Sequence, residues 1–231
     1  MGYASEHNIK AICFDIDGTF YPKWKMDWRL LKASIFHLPF ALKYNSMRKR
    51  VRREDGYGEL EPMSYDEISK RSALYVFGDD SPESAARYRR MEKKIFHNQW
   101  ERSYLNLKSA PGVKKTLEKA KKEGFRMAAL SDFPIGVKLK AMGIEDKFEL
   151  ILSSEDIGHF KPAMTPFRAL QNGLGLKPEE ILYVGDSYTK DILGANSAGM
   201  HSCLIFAKKK SEYEKADIVA ADWEEFFSKV F

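Results

Sequence analysis

The sequence predicts an α/β fold: a doubly wound parallel sheet whose first strand is followed by an inserted, all-helical domain. Three observations carry this. From residue 109 onward, short apolar runs alternate with helix-patterned stretches, the order that right-handed β-α-β crossovers demand. A similar run stands alone near the N-terminus, at Lys10-Ala-Ile-Cys-Phe14. Between the two, residues 21–108 show almost no β-alternation.

The elements follow in order. The first strand, within 11–14, is short, apolar and ended by Asp15-Ile-Asp17-Gly18-Thr19, as a buried parallel strand running into a loop should be. Met26 to His37 and Lys43 to Arg53 read as helices separated by Pro39. Ser64-Tyr-Asp-Glu67 is a capping box opening a helix to about Phe77, and Ser81-Pro82-Glu83 opens another that continues to about Tyr104. Helices at 113–123, 135–142, 165–174 and 189–198 then separate strands at 125–130, 148–153, 181–184 and 201–206. A short strand at Ile218-Val219 and a helix from Asp222 close the chain. The expected division is a core of residues 1–20 and 109–231 and a helical domain of 21–108.

Composition excludes several classes. With 44% hydrophobic and 31% charged residues, the chain is of ordinary globular make-up. The only cysteines, Cys13 and Cys203, lie in apolar runs and read as reduced core residues, which excludes a disulfide scaffold. No signal-peptide pattern opens the chain, and no apolar run approaches the roughly 20 residues that span a bilayer. The longest, Leu30 to Leu42, is broken by Lys32, His37 and Pro39. A cytoplasmic location is the expectation. The net charge of +5 is uneven: residues 21–108 carry +7 and the remainder −2.

The chemistry sits where strands end. Ligands of open α/β sheets bind beyond the carboxyl ends of the strands. Asp15 and Asp17 crowd that place and repel one another unless they share a cation or proton; a divalent metal would leave one carboxylate free to attack. The second strand ends in Ser131-Asp132, the third is followed by Gly158-His-Phe-Lys161-Pro162, and the fourth ends in Gly185-Asp186 with Asp191 in the next helix. Each alone reads equally well as a turn, a cap or a solvated lysine. Together they set carboxylates, a hydroxyl and an amine on one sheet edge, as phosphoryl transfer requires.

In these motifs the chain resembles the haloacid dehalogenase superfamily of phosphatases. Asp15-Ile-Asp17-Gly-Thr matches its first motif, Ser131 after an apolar strand its second, Lys161-Pro162 its third, and Gly185-Asp186-Ser with Asp191 its fourth. The helical insertion lies between the first two motifs, where that family carries a helical cap. The resemblance implies Asp15 as nucleophile and Asp17 as acid and then base. It implies Ser131, Asp132 and Lys161 around the substrate phosphate, with Asp15, Asp17, Asp186 and Asp191 about Mg²⁺. Asp17 argues for phosphate esters, because dehalogenating members lack an acid there. The expected partner is a small phosphate ester, with the chain a monomer or homodimer. A phosphomutase, or a non-catalytic binding protein on the same fold, remains open beside the phosphatase.

Within the cap, Arg48-Lys-Arg-Val-Arg-Arg53 reads first as a solvated helix face, then as an attraction for anionic esters. No stacking-aromatic motif accompanies it, which argues against nucleic acid. Trp24, Trp28, Phe36 and Phe40 read as cap core, and His159 as a loop residue.

Overall fold

A computed structural model of the chain describes residues 2–95, 100–133 and 135–231. Its centre is a six-stranded sheet of β1 (Ala11–Phe14), β2 (Arg126–Ser131), β3 (Leu150–Ser153), β4 (Ile181–Gly185), β5 (His201–Ile205) and β6 (Ile218–Ala220). The strands are all parallel, in the order β3-β2-β1-β4-β5-β6. β1 is central and entirely buried, with Phe14 level with Ala129 on one side and Val184 on the other. The winding direction reverses between β1 and β4, so the crevice for a ligand opens where those two strands end.

Helices cover both faces. α7 (Val113–Lys122), α8 (Gly136–Met142) and α12 (Trp223–Val230) supply one apolar layer, in which Phe14, Phe20 and Trp223 pack together. α10 (Met164–Leu174) and α11 (Leu193–Ser197) supply the other, around Phe167 and Tyr183. Cys13 and Cys203 are buried and free. A short α1 (Tyr3–Glu6) precedes the sheet, and α9 (Ser154–Ile157) follows β3.

Between β1 and β2 lie α2 (Lys23–Ser34), α3 (Leu38–Asp55), α4 (Tyr65–Phe77), α5 (Pro82–Glu92) and α6 (Trp100–Tyr104). The Ser64/Glu67 capping box forms, and Gly78 ends α4 in a left-handed conformation. Three expectations change. Pro39 does not separate two helices; it sits in the first turn of α3, where a missing N–H costs nothing. The helix expected from Ser81 to Tyr104 is α-helical to Glu92, changes to a π-type turn at 93–95 and is helical again in α6, while 96–99 lie outside the described residues. Phe40 is core, but Trp24, Trp28 and Phe36 are exposed, because the helical layer buries the opposite face of α2 through Met26. Among the described residues, no helix is long and apolar enough to cross a membrane.

Candidate active site

Asp15 follows β1 directly, and its amide donates to the Val184 carbonyl of β4 at 2.9 Å, fixing it at the reversal point of the sheet. Its carboxylate is buried. Oδ1 accepts from Lys161 Nζ at 2.7 Å and Oδ2 from the Thr19 hydroxyl at 3.0 Å. Lys161 reaches across to Asp191 Oδ1 at 2.6 Å, while Asp191 Oδ2 accepts from the Ser187 amide at 3.0 Å. A wide π-type turn at Tyr188–Ile192 brings Asp191 inward. Asp186, after β4, completes the group: ligand atoms of Asp15, Asp186 and Asp191 lie within 4.8 Å of one another.

Two glycines make this approach possible. A Cβ on Gly18, whose φ is +104°, would stand 2.3 Å from Asp186 Oδ2, and one on Gly185 would stand 2.3 Å from the Asp191 Cβ. The electrostatics fit a cation. Burial, opposed by Lys161 and reinforced by Asp191 and Asp186, pushes Asp15 up to about 7. Burial and the Asp191 charge raise Asp186 as well, and its buried Oδ1 has no hydrogen-bond partner among the described residues. An all-oxygen donor set with one unused buried oxygen suits a hard divalent ion such as Mg²⁺.

Asp17 is set apart from that group. Burial alone would raise its carboxyl, but Lys138 beside it, with Ser131 and Tyr21, holds it below its ordinary value. Lys138 Nζ donates to both carboxylate oxygens, at 2.7 and 2.6 Å, and Ser131 Oγ to one at 2.6 Å. The Tyr21 hydroxyl donates to the other. These bonds occupy the side chain, so only its backbone remains to face a metal. The sequence reading missed Lys138. Its signal lay in periodicity: Lys138 falls on the face of α8 that buries Ile135, Leu139 and Met142, a place for an apolar residue unless a counter-charge waits there.

Asp132 was expected at the substrate phosphate. Its Oδ1 accepts from the Lys161 amide at 3.1 Å and its Oδ2 from Arg52 at 2.7 Å, an arrangement that orients the Lys161 loop. Burial would raise it, but Arg52, Lys161 and Arg48 hold it far below the usual carboxylate range. Arg48 corrects the solvated-face reading of the basic run. Only 2% exposed, it lies 3.8 Å and 4.0 Å from the Phe133 and Phe160 ring centroids and donates to the Asp132 carbonyl at 2.8 Å. Lys49, Arg50 and Arg53 do face solvent. His159 is no bare loop residue either: buried, it pairs through Nδ1 with Asp55 at 2.8 Å, tying α3 to the loop that carries Lys161.

Residues 9–199 match the family model of the haloacid dehalogenase-like hydrolases. The chain belongs to that family. The hydrolase is 32% identical over 216 residues to a glyceraldehyde 3-phosphate phosphatase of Methanopyrus kandleri, covering 89% of this chain and 88% of the relative. It is 26% identical to a ribulose-1,5-bisphosphate 5-phosphatase of Halopiger xanaduensis, covering 92% and 91%. Among solved structures, a 2-haloacid dehalogenase from Pseudomonas syringae superposes with a TM-score of 0.63 at 19% identity, covering 96% of this chain and 97% of that one, a likeness of fold. In this hydrolase Asp15, Asp17, Ser131 and Asp132 form the floor of a cleft of about 530 Å³, and α2 and α3 form its wall.

Proposed function

We propose that the hydrolase is a Mg²⁺-dependent phosphatase that works through an aspartyl-phosphate, with residues 21–108 serving as its cap. The observation carrying this reading is the Asp15 carboxylate, buried against Lys161 and next to an Asp186 oxygen that has no hydrogen-bond partner among the described residues. Asp15, Asp186 and the Asp17 backbone carbonyl would hold the metal, with Asp191 behind them. Bound there, Mg²⁺ would keep Asp15 ionised and offset the charge of the phosphoryl oxygens. The phosphatase names of the relatives support the same reading.

An Asp15 carboxylate oxygen attacks phosphorus, and the ester P–O bond breaks. The Asp17 carboxylate, ionised in the ligand-free fold, takes up the proton carried in by the phosphate monoester monoanion, gives it to the departing oxygen, and then takes one from the water that cleaves the aspartyl-phosphate and frees inorganic phosphate. Ser131, which now donates to Asp17, would donate to a phosphoryl oxygen instead, and Lys161 would neutralise charge on Asp15 and the phosphoryl group. Asp132, on the cleft floor, acts through the Arg52 guanidinium and the Lys161 amide that it holds in place.

The test is phosphate release from p-nitrophenyl phosphate and a panel of phosphorylated metabolites, with and without Mg²⁺. Metal-dependent release should vanish in Asp15→Asn and fall by about 10²–10⁴-fold in Asp17→Asn. Release that survives Asp15→Asn would overturn the proposal. Phosphate passed between two esters without net release would point to a phosphomutase instead.

A further inference from the structure

The cap wall of the cleft is graded along one helix. Leu38, Ala41, Leu42, Asn45, Lys49 and Arg52 all line the cleft from α3. Their spacing of three and four residues makes a single stripe about 21 Å long at 1.5 Å per residue. The C-terminal end of the stripe is basic and anchored at the catalytic floor, where Arg52 pairs with Asp132. The N-terminal end is apolar. There Leu30 of α2 joins Leu38, Ala41 and Leu42, so this part of the wall offers hydrocarbon, with Lys23 and Asp27 of α2 as the polar groups beside it. Leu38 and Leu42 stay 37% and 61% exposed, and the chain just before them carries Ile35 and Phe36, exposed at 62% and 92%. Exposed apolar side chains thus stand both in the cleft, at Leu38 and Leu42, and in the segment that leads into α3, at Ile35 and Phe36.

A short polyol phosphate matches only half of this wall. Asp27, Asn45 and Lys49 could serve its hydroxyls, but its length would leave the outer leucines wet. An amphiphile matches both halves: phosphate at Asp15 and Ser131, apolar chain along Leu30, Leu38 and Leu42. Resting on the phosphatase reading above, we propose that the preferred substrate is a phosphate monoester of a long-chain, lipid-like alcohol. The chain of the leaving alcohol occupies the apolar end of the α3 stripe.

The experiment is a homologous series of n-alkyl phosphates, ethyl to octyl, kept below micelle-forming concentration with Mg²⁺ present, beside glyceraldehyde 3-phosphate. Each buried methylene should raise kcat/KM by about threefold, so that octyl exceeds ethyl by at least about 100-fold. In Leu38→Gln/Leu42→Gln, both changes lying at the exposed rim, the octyl-to-ethyl ratio should fall by about tenfold or more. A flat series in a protein that hydrolyses glyceraldehyde 3-phosphate would overturn this inference and leave the phosphatase reading standing. Release from no ester would overturn both. A steep series with the ratio unchanged in the double variant would overturn the placement of the chain on α3.

Discussion

At the scale of single residues, the site separates two carboxylates of the same motif by their neighbours. Asp15 shares a buried cluster with two other acids and is pushed towards protonation; Asp17, two residues on, is paired with Lys138 and held ionised. Lys138 has no exposed surface, and among the described residues Asp17 is its one ion-pair partner. Removing one member of such a pair costs about 3–5 kcal/mol, because the other is left buried and unpaired. Asp17→Ala should lose stability of that order in urea denaturation, and Lys138→Met less, since Ser131 and Tyr21 still serve the Asp17 carboxylate. The double variant should regain much of the Asp17→Ala loss; strict additivity would show the pair to be uncoupled. The acids themselves were legible in the sequence because each follows an apolar strand directly. Lys138 and Arg48 were not, since their counter-groups, Asp17 and Asp132, lie 121 and 84 residues away.

At the scale of elements, α3 links cap to core. Tyr44 donates to Glu155 at 2.5 Å, Arg48 and Arg52 reach Asp132, and Asp55 closes on His159. The same junction confines acids. Glu92, at the end of α5, is buried and is pushed up to about 8 by burial and by the Glu155 charge. From the ordinary glutamate value up to about 8, the folded chain keeps a proton that the unfolded chain has released. Stability from this group is thus whole at acid pH and is lost as pH rises through 8. Glu92→Gln should therefore raise the melting temperature relative to wild type at pH 8.5, with the gain shrinking towards pH 5. A gain that does not change with pH would exclude this cause. Helix starts of the insertion were readable from Ser64 and Ser81, whose caps are local; which face of α2 would be exposed was not, because that depends on which helices arrive to cover it.

At the scale of the whole molecule, sheet order places Asp15, Ser131 and Asp186 together; strand alternation implied parallel strands with their ends on one edge, but not which strands are neighbours. The acids so gathered repel one another in the folded chain and are dispersed in the unfolded one. A cation that binds only the folded form stabilises it by about 2.7 kcal/mol at a concentration of 100 Kd. Mg²⁺ should accordingly raise the melting temperature at neutral pH without any substrate. Asp186→Asn should abolish most of that rise, and a full shift in this variant would remove Asp186 from the metal site.

The central position of β1 also bears on how the chain folds. Within the sheet β1 hydrogen-bonds to β2 and β4, so Phe14 waits for Ala129 and Val184 to be synthesised before it has a neighbouring strand. Pairings so distant in sequence close slowly, whereas the α4–α5 hairpin needs only contacts within 65–92. During translation the helical insertion can organise while the apolar strand before it still lacks both flanks, an interval in which that strand is open to aggregation or to a chaperone. The strand that leads into Asp15 is the first of the sheet to be made and among the last enclosed.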